Sequence, residues 1–325
     1  MQLGQLFATS ILALSLTLTG YSESAEAASK HRSKNRVKVV YNHSKHRTAK
    51  NDPSRYIVSK NGELRLASSA ALVLDQEDGN ALYAKRAGAV SPIASITKLM
   101  TAMVVLDAKL PMDEKITVEP ADVDTLRNSS SRLAVGSELP RSEMLRLALM
   151  SSENRAAAAL ARSYPGSTSA FVGAMNRKAI ELGMLSSHFV DPTGLHSENV
   201  STPEDLAKMV KAGTQYDMIR EFTTTASAEV DIPGHRRSLE FRNTNALVRK
   251  GDWDIGLSKT GFINEAGRCL VMQVTIASRP IIIVLLDSAG KYTRIADAQR
   301  IRRWVEARIS RAGRVARATK PLHDA

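Results

Sequence analysis

The chain has 325 residues, with 45 Lys plus Arg against 33 Asp plus Glu, a formal charge of +12, one cysteine and 43% hydrophobic residues. A single Cys excludes a disulfide-stapled scaffold and any site of paired thiolates, and 11 Pro with 18 Gly exclude a collagenous or low-complexity chain. The charge is unevenly spread, so its position says more than its size.

Leu6–Leu18 is an apolar run of 13 residues, followed by polar residues and Ala25-Glu26-Ala27. The run is short of the roughly 20 residues that span a bilayer, and its layout is that of a secretory signal over 1–27 with a small-x-small cleavage site. The first 29 residues hold no Lys or Arg, a departure from that layout, and no Cys follows the run to carry a lipid. Residues 28–60 carry 10 Lys or Arg against one Asp and hardly any apolar residue, which predicts a disordered basic tail. Residues 294–325 hold nine bases and three acids, whereas 61–293 is close to neutral. The division is therefore a folded body over 61–312 with disordered basic tails at 28–60 and 313–325.

Within the body, Ser69–Leu74 and Ala81–Ala84 flank the turn-rich Asp75–Asn80, predicting a β-hairpin. Ile96, Leu99, Met100, Met103 and Val104 recur at helical spacing and predict a helix reaching Leu110. Pro140–Arg162 reads as helix interrupted at 151–154, and 168–182 as another helix. Thr202-Pro203-Glu204-Asp205 supplies an N-cap, a proline at the first helical position and acids in the first turn of a helix through Val210. After Gly251 three apolar runs, Trp253–Phe262, Cys269–Ala277 and Pro280–Asp287, predict an antiparallel meander whose last strand is buried on both faces. Ile295, Ala298, Ile301, Val305 and Ile309 mark a final helix over Arg294–Ile309. The fold class is α/β of the α+β kind. There is no internal repeat, no phosphate-cradling glycine loop and no metal spacing such as His-Glu-x-x-His.

Three strings carry chemistry. Ser95-Ile96-Thr97-Lys98 opens the helix after the hairpin, where residues three apart share a face. A serine hydroxyl is a weak nucleophile until a neighbour takes its proton, and a desolvated lysine can be neutral enough to do so. Chance alone supplies roughly one or two Ser-x-x-Lys matches in a chain of this size. Ser152-Glu153-Asn154 sits at the helix interruption, where Ser and Asn also serve as caps. Lys259-Thr260-Gly261 ends a predicted strand; cation and hydroxyl suit a carboxylate, the glycine lets substrate backbone approach, and an edge-strand lysine before a turn would look the same.

The combination is far more specific than its parts. Ser-x-x-Lys, Ser-x-Asn and Lys-Thr-Gly in this order, on helix start, helix break and strand end, form the signature shared by penicillin-binding proteins and class A β-lactamases. With Pro92–Ala108, Leu149–Ala158, Phe241–Asn245 and Lys259–Phe262 as longer matching strings, the chain resembles the low-molecular-mass penicillin-binding proteins of the serine D-alanyl-D-alanine carboxypeptidase family, most closely the D-alanyl-D-alanine endopeptidase branch.

That resemblance implies a β-lactamase/transpeptidase-like fold, an antiparallel sheet flanked by helices with an inserted all-helical block. It implies Ser95 as nucleophile, Lys98 as its base and Ser152 as proton relay. Asn154, Lys259, Thr260, Gly261 and Phe262 become substrate-binding positions, with the backbone N–H groups of Ser95 and Phe262 as oxyanion hole and Lys291 as an additional cation. The implied substrates are peptidoglycan peptides, the implied inhibitors β-lactams bound covalently, and the location the periplasm, with no metal, no cofactor and at most peripheral contact with membrane or wall. The chain stops soon after the final helix, so neither a second β domain nor a C-terminal anchor is expected. Carboxypeptidase action on pentapeptides and a non-catalytic wall-enzyme scaffold are the alternatives. A β-lactamase needs a deacylating Glu on a loop after the second motif, and no such string follows Asn154. A nucleic-acid partner is disfavoured, because Tyr41 and Tyr56 are the only aromatics in the basic tail. Cys269 reads as a core residue, His188, His196 and His235 as loop or capping residues, and Trp253 and Trp304 as packing.

Overall fold

Long β-branched runs joined by short turns make the sheet, and Ala- and Leu-rich sequence makes the block inserted into it. The computed structural model describes residues 63–232, 238–290 and 292–318, with side chains as far as Arg311. The expected leader over 1–27, the tail over 28–60, His235, Lys291 and the chain after 318 lie outside the described residues.

In chain order the elements are β1 (Ala70–Asp75), β2 (Ala81–Lys85), β3 (Ser91–Pro92), α1 (Thr97–Asp107), β4 (Lys115–Thr117), β5 (Glu138–Pro140), α2 (Arg141–Met150), α3 (Asn154–Arg162), α4 (Ser167–Glu181) and β6 (Val200–Ser201). There follow α5 (Pro203–Gly213), α6 (Asp217–Thr224), β7 (Ser227–Val230), β8 (Leu239–Arg242), α7 (Ala246–Lys250), β9 (Ile255–Ile263), β10 (Gly267–Ile276), β11 (Arg279–Ser288) and α8 (Thr293–Ala318). The main sheet is antiparallel in the order β2-β1-β11-β10-β9, so the first hairpin joins the last three strands and β9 is an edge.

The central strand β11 is buried on both faces, as its unbroken Ile-Ile-Ile-Val-Leu-Leu run predicts. Ile282, Val284 and Leu286 pack against the helical block. Ile281, Ile283 and Leu285 pack on the other side against Ala298, Ile301 and Val305 of α8. Each such side chain contributes about 1.5–3 kcal/mol when fully buried, so the two apolar layers hold the sheet rigid beneath the cleft. The Thr202 hydroxyl accepts from Asp205 N at 3.1 Å, capping α5 where the sequence places the cap.

Three boundaries differ from expectation. Ser95 precedes α1, in a 3-10 turn over Ala94–Ile96. Helix α1 stops at Asp107 because Lys109 takes a left-handed φ of 51° and Pro111 cannot continue the ladder. Helix α8 runs on to Ala318, carried past its apolar stripe by Ala and Arg, both strong helix formers. The ribbons β3–β6, β4–β5 and β7–β8 and the short α6 and α7 were not legible, being too brief to show a period.

Candidate active site

The Ser95 turn is built under strain. Ala94 sits at φ 48° without being glycine, a conformation that persists only where its surroundings fix it. Those surroundings are specific: Thr97 Oγ1 donates to Ala94 O at 2.8 Å, Asn199 Nδ2 donates to Thr97 Oγ1 at 3.0 Å, and Ile93 N donates to Asn199 O at 3.0 Å. One turn into α1, Lys98 is fully buried and its Nζ lies 2.9 Å from Ser95 Oγ, 2.7 Å from Asn154 Oδ1 and 2.7 Å from Thr193 O. Burial pushes its ammonium down to about 7, against the raising effect of the Asp191 and Glu153 carboxylates. Near neutral pH a large share of this amine is unprotonated and able to take the Ser95 proton.

The second motif lies where the sequence breaks the helix. Ser151 ends α2, and Ser152 takes a left-handed φ of 63°, turning Glu153 N back to Leu147 O. The turn aims Ser152 Oγ at the third motif: Lys259 Nζ on β9 donates to it at 2.9 Å and to Thr260 O at 3.2 Å. Burial first, then the charges of Lys98 and Arg294, hold Lys259 well below the ordinary lysine range. Asn154 spans the two sides of the helical wall, with Oδ1 on Lys98 and Nδ2 donating to Ser129 Oγ at 2.8 Å; one amide hydrogen and one lone pair remain for another partner. Thr260 Oγ1 donates to Thr244 Oγ1 at 2.7 Å.

Gly261 has a different reason for being glycine than substrate approach. A Cβ there would lie 2.8 Å from Ile93 O, 3.1 Å from Ala94 Cβ and 3.2 Å from Ser95 N. The close neighbour is the Ser95 turn itself, which brings the chain entering Phe262 beside the Ser95 amide. The Phe262 ring is half exposed, with the Arg268 guanidinium 4.4 Å from its centre.

Sequence reasoning missed the third wall, Asp191–Asn199. Asp191 Oδ1 accepts from Thr193 N, Thr193 Oγ1 and Gly194 N, and Oδ2 accepts from His196 N. This self-capped loop presents Thr193 O to Lys98 and lays Gly194, at φ 80°, so close to the Ser95 turn that a Cβ would lie 2.0 Å from Ala94 O. The Asp-Pro-Thr-Gly turn string was the available signal. Arg294 at the start of α8 was also missed; its Nη1 donates to Gly261 O at 3.1 Å and Cys269 O at 3.2 Å.

The remaining residues have structural roles. Cys269 donates weakly to Ala266 O inside the sheet, and burial pushes its thiol up to about 11. Trp253 and Trp304 pack on the α8 side of the sheet. Glu181 lies exposed at the end of α4, 3.7 Å from Lys178. Among the described residues no group of three or more His, Cys, Asp or Glu is placed to hold a metal ion.

A buried lysine on a serine at a helix head, faced by a second serine–lysine pair on an edge strand, defines a serine hydrolase with the β-lactamase/transpeptidase fold. The chain belongs to the D-alanyl-D-alanine carboxypeptidase family, whose profile matches residues 57–290. It is 53% identical over 241 residues to a D-alanyl-D-alanine endopeptidase of Pseudomonas aeruginosa, covering 74% of this chain and 78% of that one, and 49% identical with the same coverage to one of Escherichia coli. Among solved structures it is similar to the Streptomyces K15 DD-transpeptidase, with TM-score 0.69, 31% identity and coverage of 74% and 97% of the two chains. It is also similar to penicillin-binding protein D2 of Listeria monocytogenes in its ampicillin-bound form, with TM-score 0.64, 29% identity and coverage of 74% and 98%.

Proposed function

We propose that the protein is a DD-endopeptidase that hydrolyses D-alanyl–diaminopimelate cross-links of peptidoglycan and is acylated by penicillins, with residues 61–312 as its catalytic body. Ser95 Oγ attacks the D-alanyl carbonyl as its proton passes to Lys98 Nζ. The tetrahedral oxyanion is held by the Ser95 and Phe262 N–H groups. Ser152 relays that proton, giving its own to the leaving amine as the C–N bond breaks and regaining one from Lys98; the freed Lys98 then takes a proton from the attacking water and passes it to Ser95 Oγ as the ester C–O bond breaks, restoring the serine hydroxyl. Asn154 holds the substrate amide, and Lys259 with Thr260 binds carboxylate. The carrying observation is the 2.9 Å contact between Ser95 Oγ and a buried lysine pushed down to about 7.

Export by the 1–27 leader to the periplasm is part of this reading, since the proposed substrate lies outside the cytoplasm; among the described residues no helix is long and apolar enough to cross a membrane. The endopeptidase assignment is supported by similarity to the two endopeptidases named above. The test is incubation with purified cross-linked material and, separately, with monomeric pentapeptides. Conversion of cross-linked to monomeric peptides is the expected outcome. Release of D-alanine alone would move the protein to carboxypeptidase action, and no release from either, with penicillin labelling retained, would favour the scaffold.

A further inference from the structure

Helix α8 closes the sheet face away from Ser95, and its outer side takes no part in the chemistry of the cleft. Residues 293–318 contain eight Arg, no Lys and two acids. Both acids are engaged: fully buried Asp297 accepts from Ala67 N at 3.1 Å and Ser68 N at 2.8 Å, and Glu306 accepts from Arg302 Nε at 3.0 Å. Within the helix the ion pairs are Arg300–Asp297 and Arg302–Glu306. Arg303, Arg308 and Arg311 are exposed and have no acidic partner among the described residues. Arg308 lies over the Trp304 ring at 5.4 Å and Arg302 over Trp253 at 5.0 Å, so part of this cationic face is laid on an aromatic floor. The helix dipole favours cations only in the last turn, and Arg303 and Arg308 stand well before it.

The form of the face selects among anions. The apolar side of α8 is consumed by the sheet, and as far as Arg311, where the described side chains end, no large hydrophobic residue of the helix is exposed. A helix that settles into a membrane interface needs Trp, Phe or Leu on its outer side; here the Trp rings pack inward. Planar guanidinium forks without an apolar wedge suit the carboxylates of a hydrated polymer. The helix also starts at the site, through Arg294 on Gly261 O. From there its 26 residues run for about 39 Å at 1.5 Å per residue.

We infer that the outer face of α8, centred on Arg303, Arg308 and Arg311, docks the carboxylate-rich peptide–sugar polymer whose cross-links are cut in the cleft. The identity of that polymer rests on the endopeptidase reading. The test compares full-length protein with the triple variant R303E/R308E/R311E, and with a triple Arg→Lys variant that keeps the charge. Sedimentation with purified insoluble peptidoglycan at low salt should fall about tenfold in the Glu variant, and the wild-type binding should weaken as salt rises. The Lys variant should stay within a few-fold of wild type. Penicillin acylation should be unchanged in all three, which also reports an intact fold. If the Glu variant fails that check, R303Q/R311Q replaces it.

Unchanged sedimentation overturns the proposal, as does wild-type binding to vesicles of anionic phospholipid without binding to peptidoglycan. If wild type sediments in an α8-dependent way yet cuts no cross-link, the docking surface stands and the endopeptidase reading fails. Cutting without α8-dependent sedimentation has the opposite meaning.

Discussion

Two of the three walls of the cleft each carry a buried lysine 2.9 Å from a serine, but they are not equivalent. On the helical wall Lys98 has three oxygen acceptors and two carboxylates working to raise its pKa. On the strand wall Lys259 has Ser152 Oγ and Thr260 O, and its charged neighbours, Lys98 and Arg294, are cations. The first arrangement holds an amine near its titration point, suited to trading protons. The second sets a lysine among basic groups that disfavour its charged form, a form that an arriving anion would favour, which suits a carboxylate. On the proposed mechanism the nucleophile belongs to the first wall and substrate recognition to the second.

The comparison breaks most decisively at Ser95. Ser95→Ala should lower acylation and peptide cleavage by about 10⁵-fold or more, read as loss of the penicillin mass adduct while thermal unfolding stays near wild type. Adduct formation at another side chain would remove the helical wall from the chemistry. Next come the lysines. Lys98→Met should cost about 10³–10⁴ in acylation rate with every substrate. Lys259→Met should cost about 10², appearing mainly in KM for carboxylate-bearing substrates and little for those lacking the carboxylate. Equal losses with both substrate types for both variants would erase the division of labour.

Glycine substitutions probe how the walls meet. Gly194→Ala puts a Cβ into Ala94 O at a left-handed φ, so the Ser95 turn must shift. An acylation loss of about 100-fold is expected, with a stability loss of about 3 kcal/mol, measured by denaturant unfolding. The turn would be rigid on its own account if only stability changed.

The pH profile tests the electrostatics. A lysine acts as a base only when unprotonated, so if Lys98 is the base as proposed, acylation should fall about tenfold per pH unit below about 7. The Asp191 carboxylate raises that pKa; Asp191→Asn removes the charge and should move the acidic limb to lower pH. A limb that stays in place in stopped-flow acylation from pH 5.5 to 8.5 would mean that Asp191 serves only to cap its loop.

Much of this site could be read along the chain, and the unread part has a common cause. Ser95, Lys98, Ser152, Asn154, Lys259 and Thr260 stood out because three short strings together match the family's signature, and of their mutual contacts only the Ser95–Lys98 pairing follows from helical spacing. The meander of the last three strands was legible because long apolar runs joined by short turns leave few alternatives, whereas the β1–β11 pairing that sets the sheet order joins segments some 200 residues apart. Thr193 contributes a backbone carbonyl, which no side-chain pattern reveals. Arg294 acts 33 residues from Gly261. The purpose of Gly261 depends on the Ile93–Ser95 backbone, more than 160 residues earlier. Contacts made by backbone atoms across long separations leave no periodic trace.

The smallest expected effect tests how finely the helical wall is set. Ser129 Oγ accepts from Asn154 Nδ2, and that contact fixes which end of the amide faces Lys98. Ser129→Ala removes the acceptor without touching Ser95 or Lys98. A lost hydrogen bond of this kind is worth about 0.5–1.5 kcal/mol, so acylation should fall only about three- to tenfold, and Ser129→Thr, which keeps a hydroxyl, should recover most of it. An amide free to turn would present its NH₂ to Lys98, favouring the neutral amine, so the acidic limb of Ser129→Ala should move slightly to lower pH. A fall in rate with an unmoved limb would assign Ser129 to holding the substrate-facing end of Asn154, while a moved limb places it in the network that sets the base.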